Sequence, residues 1–319
     1  MEVRELLLQG LKRNGLRLGE MLVREWKRNA LLHLLIWPGL ILTIIFHYVP
    51  MFGIIIAWKK FMPSKGFLDS PWIGWDNFTY VLNMPDTPRV IKNTLKIAIL
   101  KLIAGQIAPI ITALLLNEMR KMVFRRIFQT IVYFPHFLSW VIISGIMIDI
   151  LSPTTGFVNQ MITWFGAKPI FFLGDNDWFQ FTLIVSDTWK DFGFGTIVYL
   201  AALTSISPHL YEAAEIDGAN RWQQTLYITL PGIVPIVVLL ATLSLGGILN
   251  AGFDQIQNLY SPSVYETGDV LDTLVYRLGL QQYQYGVATA VGFFRSGVSL
   301  LLIMLSYYLA HRLAKYRIF

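Results

Sequence analysis

Six long apolar stretches constrain this chain more than any other feature of its sequence. Each holds roughly 20 or more predominantly apolar residues, which is the length that a helix needs to cross the ~30 Å hydrocarbon layer of a bilayer. They cover residues 31–57, 90–116, 127–150, 178–203, 228–252 and 286–310, and polar or glycine residues interrupt the last four. Because lipid offers backbone groups no hydrogen-bond partners, such segments must be helical. The sequence therefore predicts an all-α integral membrane protein with six transmembrane helices.

The composition leaves little room for any other kind of domain. Of the 319 residues, 55% are hydrophobic and 14% are charged, and the connections between the apolar stretches are too short to hold a separate core. Cysteine is absent, which excludes disulfides, thiolate metal sites and cysteine nucleophiles. We also find no glycine-rich phosphate loop. The sequence therefore predicts no nucleotide-hydrolysing site in this chain.

Lysine and arginine residues are distributed unevenly around the spans. If the N-terminus is cytoplasmic, fifteen of them lie in cytoplasmic segments and six lie in outer loops. Basic residues that flank spans are retained on the cytoplasmic side. The distribution predicts that both termini are cytoplasmic. The net charge of +6 is then a signal of topology and does not indicate nucleic-acid binding.

The chain divides into three predicted parts. Residues 1–30 mix acidic and basic side chains with leucines at loose helical spacing, which predicts a retained amphipathic segment on the cytoplasmic membrane surface. Residues 31–310 form the six-helix domain, and residues 311–319 form a cytoplasmic tail.

Residues 207–231, between the fourth and fifth spans, are too polar to cross a membrane and too rich in helix formers to be a slack loop. Ser207 is a helix-capping residue type, Pro208 suits a first turn, and Gly218 can turn the chain at positive φ. This pattern predicts two short helices at a bend on the cytoplasmic side. The side chains expected to fill a groove on a partner are Leu210, Tyr211 and Trp222.

The same segment resembles the EAA signature of binding-protein-dependent importer permeases. The resemblance is carried by Glu212-Ala213-Ala214, Gly218, Ile228, Leu230 and Pro231. It implies a coupling helix that docks in a cleft of an ATPase subunit, with Tyr211, Glu212, Ala213, Ala214 and Gly218 as the coupling residues. An ordinary amphipathic loop helix would explain the helix propensity but not this spacing.

Weaker motifs extend the resemblance over most of the chain. Tyr48-Val49-Pro50-Met51-Phe52-Gly53 and Leu114-Leu115-Leu116-Asn117-Glu118 look like the larger permease subunit of oligo- and polysaccharide importers. This implies the type I ABC importer permease fold, in the bacterial cytoplasmic (inner) membrane, with no reaction and no cofactor of its own. The implied partners are a second permease, two ATPase subunits that hold ATP and Mg²⁺, an extracytoplasmic solute-binding protein and an oligosaccharide. The sequence departs from the maltose-type subunit in that it shows no match to that subunit's two extra N-terminal helices or its large outer domain.

Ionisable residues inside the apolar stretches are candidates for the solute pathway, because such charges are costly unless they pair or line a wet cavity. The basic ones are Lys96, Lys101, Lys190 and Arg295, and the acidic ones are Asp149, Asp187 and Asp191. Asp187 and Asp191 share one helical face with Lys190 beside them. Internal ion pairs that hold helices together are one alternative. Another is that Lys96 and Lys101 extend toward the membrane interface, which suits Lys96 better because it lies near the outer end of its span.

The resemblance places several residues where the maltose-type subunit contacts its sugar. They are His136, Trp140, Asp187, Lys190, Asp191, Gly247, Ile248 and Ala251. Asn250 joins them because, with Gly246, Gly247 and Gly252, it loosens the fifth span. Close helix packing would explain the glycines equally well, and His136 suits a packing role as well as a ligand role.

The sequence thus predicts an importer permease for an oligosaccharide, and the four intramembrane cations favour an acidic one such as a uronate oligomer. These cations would not indicate an acidic substrate if acidic side chains of the protein neutralise them. An ion-coupled secondary carrier is the alternative, although it would leave the EAA segment without a purpose. No metal-binding or nucleophilic constellation supports an intramembrane enzyme.

Overall fold

A computed structural model of the protein describes residues 29–119 and 121–314. The predicted amphipathic N-terminal segment, apart from its last two residues, and the end of the tail lie outside these ranges. The described residues form helices and loops, and the one β contact among them is a bridge between Lys59 and Trp72. The expected all-α class is confirmed.

Twelve helices longer than a single turn account for most of the described chain. In chain order they are α1 (Ala30–Trp58), α2 (Asp76–Asn83), α3 (Thr87–Glu118), α4 (Met122–Phe137), α5 (Trp140–Ile150), α6 (Phe157–Trp164), α7 (Asn176–Thr204), α8 (Pro208–Ile216), α9 (Arg221–Gly246), α10 (Phe253–Leu259), α11 (Leu271–Tyr276) and α12 (Tyr285–Ala314). Isolated turns occur at Gly66–Asp69, Pro262–Val264 and Tyr265–Gly268, and a π-helical turn, Arg277–Gln281, follows α11. We call the end of the bundle opposite α8 the outer end.

Four of the described helices, α1, α3, α9 and α12, are long and apolar enough to cross a bilayer. Helices α4 and α5 pass the same test together, which would make five. Helix α7 spans 29 residues, about 44 Å, but its charges Asp187, Lys190 and Asp191 exclude it from this apolar set. The assignment of α7 as the sixth span therefore stays a prediction.

The third predicted span is not one continuous helix. Residues 127–150 are divided between α4 and α5, whose axes differ by 103°. Pro135 lies in a 3₁₀ turn at the end of α4, Leu138 and Ser139 are extended, and Ser139 then caps α5 by accepting a hydrogen bond from the Ile142 amide. A proline followed by a new N-cap ends one helix and starts another, so the predicted third span consists of two helices joined at a sharp bend.

The fifth predicted span is shorter than expected at its outer end. Helix α9 ends at Gly246, and residues 247–252 are irregular before α10 begins. Gly252 has φ +92°, a conformation that side chains rarely allow. The glycines therefore break this helix instead of only loosening it.

Helices α3 and α7 pack against each other along most of their length and form the centre of the bundle. Toward the outer end, Ile97, Phe179 and Leu183 are fully buried against the segment that follows α9, including Ile256. Gly193 lets α7 approach α4, because an added Cβ would lie 1.9 Å from the Val132 carbonyl oxygen. These contacts fix the elements that carry the charged residues.

A buried ion pair lies within the outer segment 260–281, and Asn93 anchors this segment to α3. Asp269 is fully buried and receives two hydrogen bonds from Arg277, at 3.0 and 2.6 Å. Burial opposes the charge on Arg277, but the hydrogen bond and attraction of Asp269 outweigh it and raise the pKa of the guanidinium. Asn93 of α3 donates to the Asp269 and Glu266 carbonyl oxygens. The outer end is therefore held in a fixed position relative to α3.

Candidate functional site

Helix α8 projects from the bundle as an exposed helix, as the EAA resemblance implied. Ser207 occupies its N-cap position, although its side chain makes no capping bond, and Gly218 ends the motif at φ +79°. The Gly218 amide donates to the Glu215 carbonyl at 3.1 Å. Glu212 and Ala213 are exposed and Ala214 is half-buried, so the flat side of this helix is available to another chain.

The second short helix expected in this region is not separate. Asn220 caps it through a reciprocal capping box with Gln223, and it continues through a π-helical turn, Thr225–Thr229, into the apolar part of α9. The bend at Gly218 is therefore the junction between α8 and the fifth span. Only residues 217–220 separate α8 from the base of α9.

Two side-chain contacts connect this region to the bundle. The Tyr211 hydroxyl lies 3.0 Å from the Thr229 hydroxyl at the base of α9. Arg221 forms a 3.0 Å ion pair with Glu118 at the end of α3. Tyr211 is half-buried, whereas Leu210 and Trp222 are exposed, so the groove-filling role predicted for these three side chains stays a prediction.

A cavity of about 240 Å³ lies between α3, α7 and the irregular segment after α9. The sequence-predicted pathway residues in its wall are Asp187, Gly247, Ile248, Asn250 and Ala251. Lys101 and Gln106 of α3 and Ser244 of α9 are further polar residues in its lining. Carboxylate and amide groups of this kind can exchange hydrogen bonds with the hydroxyls of a polar solute.

Lys101 occupies the deepest polar position of this cavity. Its ammonium is buried and donates to Asp187 Oδ1 at 2.9 Å, to the Ala251 carbonyl at 2.8 Å and to Gln255 Oε1. Gln255 in turn donates to the Leu183 carbonyl and to Ser186 Oγ on α7. The suggestion that Lys101 extends to the membrane interface is therefore wrong, because its charge is paired inside the protein.

The other predicted pathway residues form a second polar cluster on the neighbouring face of α7. Lys190 Nζ donates to the His136 carbonyl at 2.8 Å, lies 3.7 Å from Asp191 and sits 5.8 Å from the centre of the Trp140 ring. His136 Nδ1 is 2.8 Å from Asp191, and its ring stacks on Phe194 at 4.2 Å. Lys190 is buried, so this cluster mainly binds α7 to the bend between α4 and α5.

The remaining intramembrane cations do not line the cavity. Lys96 is exposed on α3, and at 100° per residue it points away from the cavity-lining positions 98, 101, 102 and 105. Arg295 pairs with Asp272 in the wall of a larger cavity of about 840 Å³ between α1 and α12. That larger cavity is mostly apolar and is separate from the cavity beside Lys101. Because a sugar needs hydrogen-bonding partners, the smaller polar cavity is the better candidate for the solute site.

Sequence reasoning missed two members of the cavity network. Gln255 and Ser186 have no distinguishing neighbours in the sequence, and only the packing of α10 on α7 brings them to Lys101. Lys101 itself was recognisable as an intramembrane cation, but its partners are 86 and 150 residues away.

Comparisons with known proteins agree with this architecture. Residues 105–318 match the family described as "Binding-protein-dependent transport system inner membrane component". Protein LplB of Bacillus subtilis (strain 168) is 41% identical over 286 residues, which cover 90% of each chain. The polygalacturonan/rhamnogalacturonan transport system permease protein YteP of the same organism is 42% identical over 284 residues, or 89% of this chain and 87% of YteP.

A solved structure has the same fold. It is the crystal structure of a bacterial ABC transporter involved in the import of the acidic polysaccharide alginate, in which the matched chain is 43% identical with a TM-score of 0.85. The match covers 92% of this chain and 99% of that one. The expected type I importer permease fold is confirmed by this similarity. Because the family match spans more than half of the chain, this protein belongs to the binding-protein-dependent transport system inner membrane components, the permease subunits of ABC importers.

Proposed function

We propose that this chain is the permease subunit of an importer for an acidic oligosaccharide delivered by an extracytoplasmic solute-binding protein. The observation that carries the proposal is the similarity, at 42–43% identity over about nine-tenths of the chain, to two permeases named for polygalacturonan/rhamnogalacturonan and for alginate. The alginate transporter has also been crystallised in complex with its periplasmic protein and an alginate pentasaccharide. Family membership favours this function over an ion-coupled carrier.

The acidic substrate is not supported by the argument from intramembrane cations. Lys101 pairs with Asp187, Lys190 is close to Asp191, and Arg295 pairs with Asp272, so these charges are offset within the chain. The cavity offers acceptors and amides instead, which suit the hydroxyls of any sugar. Selection of an acidic substrate would then depend on the binding protein or the second permease.

The coupling to ATP is part of the same proposal. Two ATPase subunits with ATP and Mg²⁺ would bind this chain and a second permease, with Glu212, Ala213 and Ala214 on the docking side of α8. Helix α8 and both termini would be cytoplasmic, and the cavity would be reached from the outer end. This chain would catalyse no reaction itself.

The test is competitive uptake by the assembled importer in proteoliposomes. Uptake of a labelled uronate oligosaccharide should depend on ATP and on the binding protein, and unlabelled anionic oligomers should inhibit it while neutral oligomers of equal length do not. Equal inhibition by neutral and anionic oligomers would overturn the acidic specificity. No ATP-dependent uptake of any oligosaccharide would overturn the substrate class.

A pair of asparagine variants tests whether the solute passes through the cavity. Asn250→Ala removes an exposed amide from the cavity wall and should raise the KM for uptake by about tenfold if that amide bonds the solute. Asn258→Ala is the matched control, because Asn258 is exposed on α10 and bonds only within its own helix, to the Asp254 carbonyl at 2.6 Å. Equal KM values for the two variants would argue against passage through this cavity.

A further inference from the structure

Where α9 breaks at its outer end, Lys101 supplies a hydrogen-bond donor to the backbone. Residues 247–252 leave the helix beside α3 and α7, where backbone carbonyls that have lost their helical partners need new donors. The Ala251 carbonyl receives one from Lys101 Nζ at 2.8 Å. Ala251 itself is fully buried, so water cannot readily take the place of that donor.

The ammonium joins three elements with its three hydrogens. It donates to Asp187 on α7, to Ala251 in the irregular segment and to Gln255 on α10, while its own side chain belongs to α3. An ammonium has three donors, and all of them are used. Lys101 therefore has no hydrogen left for a solute, and its contribution must be to hold its neighbours in position.

The space around the ammonium is closely matched to it. A Cβ on Gly252 would lie 2.7 Å from Lys101 Nζ, and Gly252 already has a backbone conformation that disfavours side chains. A side chain at position 252 would therefore displace the ammonium.

A simpler role for Lys101 would be to neutralise Asp187. That role accounts for the 2.9 Å ion pair but not for the bond to the Ala251 carbonyl or the close contact with Gly252. It also predicts that removal of both charges together would be harmless. The two roles therefore differ in what a double variant should do.

We propose that Lys101 is a positioning residue that holds residues 247–252 in their irregular conformation, so that this segment forms one wall of the solute cavity. The proposal rests on the proposed function only in taking the cavity as the solute pathway. Without Lys101 the Ala251 carbonyl loses its buried donor, and the segment shifts to find another. The cavity then loses its shape while α8 and its contacts remain intact.

A cysteine reporter tests the position of the segment without any need for transport. This chain has no cysteine, so Asn250→Cys gives it a single thiol, which lies in the cavity wall. The assembled importer without this substitution measures any labelling of the partner chains. With Lys101→Met added, the rate of modification by a small thiol reagent should rise about tenfold. Lys96→Met is the matched control, since Lys96 is exposed on the opposite side of α3, and should change the rate by no more than about twofold.

The double variant Lys101→Met with Asp187→Asn separates positioning from charge balance. If Lys101 only neutralises Asp187, this variant should regain the labelling rate of Asn250→Cys alone and, in the chain without the reporter cysteine, the native KM for uptake, which would overturn the proposal. We expect the labelling rate to stay raised and, without the reporter, KM to lie about tenfold above the native value, while turnover at saturating substrate is largely kept.

Gly252→Ala provides a second test in case the Lys101→Met variant does not assemble. It leaves every charge in place but displaces the ammonium, so it should raise the labelling rate in the same direction as Lys101→Met. Native labelling in Gly252→Ala would also overturn the proposal. If the native complex transports no acidic oligosaccharide, the proposed function fails, yet the labelling comparison still decides the role of Lys101.

Discussion

The hydrogen bond between Tyr211 and Thr229 gives the sharpest prediction about coupling. Thr229 is buried in the π-helical turn at the base of α9, and its hydroxyl donates to the Gln224 carbonyl at 3.3 Å. The Tyr211 hydroxyl, 3.0 Å away, must therefore be the donor in their shared bond. Tyr211→Phe removes this donor and keeps the ring, so it breaks one link between α8 and α9 and nothing else.

The magnitude follows from the value of one such bond. A net hydrogen bond is worth about 1 kcal/mol, which corresponds to roughly fivefold in an equilibrium between coupled and uncoupled positions of α8. We expect Tyr211→Phe to lower the number of solutes transported per ATP hydrolysed by about that factor. Assembly should be unaffected, because the Tyr211 ring stays in place.

The assay is simultaneous measurement of uptake and ATP hydrolysis by the reconstituted importer. Tyr227→Phe is the matched control, because Tyr227 is 73% exposed near the same turn. Thr229→Ser keeps the hydroxyl and should retain native coupling, whereas Thr229→Val should lower it. A Tyr211→Phe ratio equal to that of Tyr227→Phe would refute the reasoning, and so would additive losses in the Tyr211→Phe, Thr229→Val double variant.

Three further predictions concern assembly, the second link and topology. Gly193→Ala should abolish assembly, because its Cβ would lie 1.9 Å from a carbonyl oxygen of α4 and overpacking of this kind costs about 3 kcal/mol or more. Gly145→Ala is the control and should assemble normally, because the space around Gly145 is open. Equal yields of the two assembled variants in detergent extracts would contradict the packing of α7 on α4. Arg221→Glu should weaken coupling by no more than about fivefold, since exposed ion pairs are worth up to about 1 kcal/mol. Adding Glu118→Arg should restore the coupling, because the two charges are then exchanged. If the double variant couples no better than Arg221→Glu alone, the ion pair between α9 and α3 has no role in coupling. Glu215→Cys should react with a membrane-impermeant reagent only from the cytoplasm, and labelling from outside would overturn the proposed orientation.

Properties that reside in short segments were predictable. The apolar stretch 90–116 became α3 (Thr87–Glu118), and the EAA signature indicated both the exposed helix α8 and the family, which the comparisons confirm. Gly218 adopts positive φ as its position in the motif indicated. Helix propensity, hydropathy and turn chemistry depend on neighbours within a few residues, so a single sequence contains the necessary information.

The bend of the third span was only partly visible in this way. Pro135 marked a place where a helix can end, but the 103° angle between α4 and α5 depends on what they pack against. The contact of Gly193 with the α4 backbone is one such constraint, and it joins segments about sixty residues apart. No local pattern specifies an approach of that kind.

The pairing of the buried charges was decided by tertiary structure. The sequence showed that Lys101 and Asp187 lie in apolar stretches, and the cost of an isolated charge in such a place means that each needed a partner or water. It did not show which partner, because Asp187 and Ala251 are 86 and 150 residues from Lys101. The sequence by itself thus determined that a membrane permease would contain these charges. The packing of α3, α7 and the broken end of α9 decided that the charges pair with one another, because a buried ammonium is stabilised only by the acceptors that the fold brings within hydrogen-bonding distance.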